Sequence, residues 1–176
     1  MPLHLIIDGY NFIRQSDELR ALERQALEFG RDALIEKLAA YRQIKRHKIT
    51  IVFDGSQKYI FPDAQSSWKG VAIKFSRQGE TADGLIRKMA RQEGEKAVVV
   101  SSDKEIIRFA DAHGAATLES VAFEEKLQMA EMAASGIAGE PDSGGGTRRA
   151  NGTRKKGPAR KLPKSQRRML KKTGKL

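Results

Sequence analysis

Three aspartates stand where short apolar runs end. Asp8 follows Leu3, Leu5, Ile6 and Ile7, Asp54 follows residues 49–53, and Asp103 follows residues 97–100 and two serines. A continuous apolar run of this length suits a strand buried on both faces, as in a parallel sheet. In such sheets ligands bind beyond the carboxyl ends of the strands, so an acid there projects toward the site. Glu80 and Asp83 flank the start of a predicted helix in the run GETADG. If the strands are neighbours, these five acids converge on one sheet edge. Clustered carboxylates raise one another's pKa unless a cation intervenes. A hard divalent ion with oxygen ligands, Mg²⁺ or Mn²⁺, is the natural counter-charge. Such ions activate water and neutralise a phosphodiester in its transition state. Taken singly, each acid also has a structural use: Asp83 and Asp103 at helix N-termini, Asp54-Gly55 in a turn, Glu80 as a solvated loop acid. Asn11 fits an Asx-turn equally well. Their joint recurrence at strand ends favours a site.

The 176-residue chain has a formal net charge of +11, unevenly distributed. Residues 141–176 hold 13 Lys/Arg and one acid, whereas residues 1–140 hold 20 basic and 21 acidic residues. The body is near neutral and the tail is a polycation, which gains affinity for phosphate backbones by counterion release. Carboxylates and a polycationic tail together point to metal-dependent cleavage of a nucleic acid. The chain contains no cysteine, which excludes disulfides, thiolate metal sites and cysteine nucleophiles. No apolar stretch reaches membrane-spanning length and the N-terminus lacks a signal-peptide layout, so a soluble, cytoplasmic protein is expected.

The elements that must position the acids follow from the pattern. Residue 17 onward reads as an amphipathic helix to about Lys45, with Leu27, Leu34, Leu38 and Tyr41 on one face. Arg42, Lys45, Arg46, His47 and Lys48 read as solvated surface. Residues 55–70 read as a long polar connection, and 71–75 as a less buried strand. Thr81 is the expected cap of a helix that fades near Gly94. Ser102 with Glu105 has the form of a capping box, opening a helix that His113-Gly114 stops. Residues 115–118 suit a short edge strand, and Ser120 the cap of a last helix. Strands alternating with helices imply a mostly parallel, helix-flanked sheet. From residue 135 the composition turns to Gly, Ser, Pro and basic residues, a linker and flexible tail by composition. The expected domains are therefore 1–134 and the tail 135–176. Residues 162–172 suit a basic turn and helix formed on binding.

Other chemistries fit less well. A haloacid-type phosphatase wants a second Asp where Tyr10 stands, and a phospho-receiver wants paired acids where Ile7-Asp8 supplies one. There is no dinucleotide or P-loop glycine motif. His4, His47 and His113 are scattered, against a zinc site. His4 and His113 read as structural.

The runs IIDGYN, IVFDG, GETADGLI and VVVSSDKEI, in this order, resemble the YacP-like NYN-domain proteins of the PIN-like nuclease superfamily. The resemblance covers residues 3–127. It implies a Rossmann-like three-layer α/β/α domain and bacterial, cytoplasmic RNA metabolism at the ribosome, through a metal-dependent endoribonuclease. It further implies that Asp8 is the central Mg²⁺ or Mn²⁺ ligand, completed by Asp83 and Asp103, with Asn11 orienting a ligand or phosphate. Asp54 and Glu80 would be further acids, and Thr81 and Ser102 hydrogen-bonding partners. Arg14, Lys58, Arg77 and Lys104 lie in or near the site-side loops and suit backbone phosphates. Arg154, Lys155, Lys156, Arg167 and Arg168 of the tail suit the same role, and Tyr10, Tyr59 or Trp68 suit base stacking. The alternatives are a non-catalytic RNA- or ribosome-binding adaptor with a structural cation, and a DNA 5′-nuclease relative. The latter lacks a clamp insertion beyond residues 55–70.

Overall fold

The computed structural model describes residues 2–55, 65–136 and 164–176. Six strands form one sheet: β1 (His4–Asp8), β2 (Lys48–Phe53), β3 (Gln65–Trp68), β4 (Val71–Phe75), β5 (Ala97–Val100) and β6 (Ala116–Leu118). The spatial order is β3-β4-β2-β1-β5-β6, parallel throughout except for the antiparallel edge strand β3. Every residue of β1 and β5 is buried, as the unbroken apolar runs require.

Side-chain alternation divides the core between the two faces of the sheet. Leu5, Ile7, Ile49, Ile51 and Val98 face one layer, which holds α1 (Gly9–Gln15), α2 (Asp17–Gln25), α3 (Leu27–Lys45) and α6 (Ser120–Ala134). Ile6, Val52, Ala97 and Val99 face α4 (Ala82–Glu93) and α5 (Lys104–Ala112). The result is a three-layer α/β/α architecture with a mostly parallel centre, as the sequence predicts. No helix among the described residues is long and apolar enough to cross a membrane.

The helix expected from residue 17 to Lys45 is instead two helices, preceded by α1. Ser16 is extended, and its hydroxyl accepts from the Leu19 amide to cap α2; Ala26 is also extended and separates α2 from α3. The chain turns helical directly after Asp8, and α1 buries Phe12 and Ile13 fully. The expected loop at 55–70 contains β3, whose polar run QSSW pairs with β4 because its edge position spares it a buried outer face. His47 is buried rather than solvated, its Nδ1 accepting from the Leu3 amide at 3.4 Å. His4 is structural, 2.8 Å from Thr50 Oγ1 and 3.0 Å from Glu93.

The end of the basic tail is a helix, α7 (Lys164–Thr173), seated on the domain. Leu176 beyond it joins the main core. The Tyr41 hydroxyl donates to Leu176 O at 2.9 Å, His47 Nε2 lies 3.3 Å from Lys175 O, and Lys126 Nζ donates to Thr173 O at 2.9 Å. The basic turn and helix expected to form on binding is thus held by the chain itself, against β6 and by the bonds from Tyr41 of α3 and Lys126 of α6.

Candidate active site

β1 connects leftward to β2 while β5 connects rightward to β6, so the winding of the connections reverses between the parallel strands β1 and β5. Crevices at such a switch point, beyond the strand carboxyl ends, are where open α/β sheets bind ligands. Asp8 ends β1, and the register Ile7↔Val100 sets Ser101 beside it. A cleft of about 270 Å³ opens here, and Asp8, Asp54, Asp83 and Asp103 all line it, with Asn11, Arg14 and Tyr10. Four acids from four separate segments thus share one opening.

Asp8 is the buried member, 8% exposed. Burial pushes its carboxyl up to about 6, and the charges of Asp83 and Asp103 push in the same direction. The Ser101 hydroxyl, donating to Asp8 Oδ2 at 3.0 Å, and the Asn11 backbone amide pull it down. The same hydroxyl accepts from the Asp103 amide at 3.1 Å, linking the ends of β1 and β5. Asp83, in the first turn of α4, is also raised, by burial and then by Asp103. Thr81 caps α4 as expected, accepting from the Gly84 amide.

Asp103, not Ser102, caps α5: its Oδ1 accepts from the Glu105 and Ile106 amides at 2.7 and 3.3 Å. Ser102 Oγ is occupied elsewhere, accepting from the Ser120 amide. Ser120 in turn is not a cap; α6 begins after Glu119, and Ser120 Oγ donates to Asn11 Oδ1 at 3.1 Å. Asn11 Oδ1 also accepts from the Ser102 amide at 2.9 Å, so Asn11 ties α1 to the β5–α5 loop and to α6. Ser101 and Ser120 are absent from the sequence-derived set. Only the register across β1 and β5 singles out Ser101, and only the tertiary fold brings Ser120 near.

Two glycines fit the backbone around the acids. A Cβ on Gly9 would lie 2.3 Å from the Phe53 ring, itself packed between Tyr10 and Phe75. A Cβ on Gly55 would lie 2.1 Å from Ser76 O. That close approach lets Ser76 Oγ accept from the Gly55 amide and donate to Asp54 Oδ1 at 3.3 Å.

The four aspartates are not drawn into ligand spacing. Among the described residues no group of three or more His, Asp or Glu stands ready to hold a metal. Asp103 has one oxygen on helix amides, Asp83 Oδ2 lies 4.0 Å from Arg87, and mutual repulsion opposes closer approach. Their hard oxygen donors nevertheless suit Mg²⁺ or Mn²⁺ in type.

Glu80 does not line the cleft; it sits in the turn before α4, its amide bonded to Arg77 O. Arg14 reaches the cleft, its guanidinium 5.9 Å from the Tyr10 ring centre. Arg77 and Lys104 are exposed and outside the lining. Trp68 pairs with Val71 at the other end of the sheet and donates to Glu36 at 2.6 Å, so it offers no stacking face beside the acids. Lys58, Tyr59, Arg154, Lys155 and Lys156 lie outside the described residues.

The sequence profile of the YacP-like NYN domain matches residues 5–175, including α7. YacP of Bacillus subtilis (strain 168) is 33% identical over 87 residues, 49% of this chain and 51% of that protein. The match therefore spans about half the length of the curated relative. The crystal structure of Rae1 (YacP) from Bacillus subtilis is similar with a TM-score of 0.65 and 27% identity, covering 78% of this chain and 79% of that one. A single-substitution mutant of the same protein gives a TM-score of 0.64 and 25% identity, covering 76% and 79%. With the switch-point aspartates and the profile match over nearly its whole length, this chain belongs to the YacP-like NYN family, which has a PIN-like nuclease fold.

Proposed function

We propose that this protein is an endoribonuclease that hydrolyses RNA phosphodiester bonds with Mg²⁺ or Mn²⁺, acting on ribosome-associated RNA, with the basic tail anchoring the substrate. The observation that carries the reading is the convergence of Asp8, Asp54, Asp83 and Asp103 on one cleft at the β1/β5 switch point. Asp8, Asp83 and Asp103 would hold the ion and Asp54 would add negative charge beside it. A bound dication supplies charge neutralisation at the scissile phosphate and makes water a stronger nucleophile.

The chain's own residues do the rest. Ser101 and Asn11 fix the carboxyl of Asp8 and the loop that carries Asp103. Asp8, shifted to about 6, releases its proton near neutral pH and so responds strongly to a cation beside it. Arg14 lies in the same lining and offers a cation to the RNA backbone.

The test is cleavage of a mixed single-stranded RNA pool, free and ribosome-bound, in Mn²⁺, in Mg²⁺ and in EDTA. Cleavage that needs the dication and falls at least a hundredfold in Asp8→Asn, with circular dichroism unchanged, supports the reading. RNA binding without cleavage in any of these conditions overturns it in favour of an adaptor.

A further inference from the structure

A second feature lies at the opposite end of the sheet. Arg167, Arg168, Lys171, Lys172 and Lys175 line a cleft of about 460 Å³ together with Leu3 and Glu95. Leu3 precedes β1 and Glu95 lies in the 3₁₀ turn Gly94–Lys96 before β5, so this is the amino end of the strands. The cationic positions recur at one, four, five and eight residues from Arg167, which puts them on one side of α7 and its continuation. They are held in place, since α7 is anchored through Tyr41, His47, Lys126 and the Lys172 ammonium, which donates to Glu95 O. Burial and then the neighbouring Arg168 lower the Lys172 pKa, against a smaller opposing effect of Glu95.

We propose that this cleft binds phosphates of the same RNA at a point remote from the acids, so that the protein grips its substrate at both ends of the sheet. The proposal rests on RNA being the substrate. Five cations and one acid call for a polyanion, and among the described residues Leu3 is the lone apolar side chain in the lining, too little for a peptide anchored by burial. Arg167 to Lys175 span about 12 Å at 1.5 Å per helical residue. That length matches three or four phosphates of one stacked strand at ~3.4 Å each along its axis. The five residues of β1 put the two clefts at least ~17 Å apart at 3.3 Å per residue. A strand stacked at the same spacing therefore places about five nucleotides between the two clefts.

The experiment uses the full chain in EDTA and in Ca²⁺, with single-stranded RNAs of 4, 8, 16 and 32 nucleotides, read by fluorescence anisotropy across a salt series. The comparison is with the triple variant Arg167→Gln, Lys171→Gln, Lys175→Gln, whose side chains take no part in anchoring α7. In Ca²⁺, which offsets the charge of the acids, wild type is expected to gain affinity stepwise beyond about eight nucleotides; in EDTA it is expected to bind through the α7 cleft alone. The variant is expected to lose that gain, with the slope of log K against log salt flatter by about 2, or ~0.7 for each phosphate no longer neutralised. An unchanged slope and length dependence in a variant with wild-type Tm overturns the proposal, whether or not RNA is cleaved in Mn²⁺. Wild type binding polyglutamate as tightly as RNA of equal charge also overturns it. A flattened slope in a protein that cleaves no RNA in Mn²⁺ keeps this cleft and overturns the nuclease reading alone.

Discussion

Replacing Asp8 by Asn is expected to stabilise the metal-free protein while removing the proposed activity. The carboxyl is buried, and its pKa in the folded protein is about 6 against 3.8 in an unfolded chain. Because the folded pKa is the higher one, the native state holds the proton more tightly and stability falls as pH rises between these two values. By linkage the ionised group costs about 1 kcal/mol at pH 4.5 and about 3 kcal/mol at pH 8 relative to a neutral one. Asn is the neutral isostere and can still accept from Ser101. Urea denaturation in EDTA at pH 4.5 and pH 8 reads the effect. At pH 8 the Asn variant should be more stable by roughly 1–3 kcal/mol, a midpoint shift on the order of 1 M. At pH 4.5 the difference should shrink to about 1 kcal/mol or less. Added Mn²⁺ should stabilise wild type and not the variant. An Asn variant no more stable than wild type at pH 8 would refute the electrostatic reasoning.

Asn11→Ala removes the acceptor shared by the Ser102 amide and Ser120 Oγ, and should cost about 1–3 kcal/mol by chemical denaturation and lower RNA cleavage through a displaced Asp103. Gly55→Ala sets a Cβ against the backbone oxygen of Ser76 and should destabilise by roughly 1–3 kcal/mol in the same assay; wild-type stability would mean the two loops separate freely. Tyr41→Phe removes the bond to Leu176 O from a phenol whose pKa burial pushes up to about 12, and should cost about 1 kcal/mol. Removing residues 164–176 should lower Tm by several degrees, because Leu176 leaves the core; an unchanged Tm would return α7 to the status of an appendage.

The strand-end aspartates are legible in the sequence because the last residues of β1 and β2 before them are apolar on both faces, the polar pair His4 and Thr50 lying further back, so Asp8 and Asp54 mark the exits without knowledge of strand order. Cap positions differ by one residue from the local pattern at both α5 and α6. Adjacent Ser and Asp side chains satisfy the same local pattern, and the choice is made by tertiary partners: Ser102 Oγ is used by the Ser120 amide, leaving the α5 amides to Asp103. The break at Ala26 carries no Gly or Pro to announce it. Strand β3 carries no apolar alternation. The seat of α7 depends on Tyr41, His47 and Lys126, far away in sequence and each with an adequate local explanation.

The two ends of the sheet oppose each other electrically. Acids gather at the carboxyl end around Asp8, and five cations gather at the amino end along α7. For a polyanion the amino end is attractive as it stands, while the carboxyl end repels until positive charge is supplied. A dication in the acid cleft would reverse that repulsion locally and leave the α7 cleft unchanged. Capture and cleavage would then answer to different variables, capture to ionic strength and cleavage to the dication. Holding Asp8 in a site that raises its pKa works against folding stability. The bonds from Ser101 and Asn11 hold the strand ends together against that repulsion, and keep the acids facing one opening.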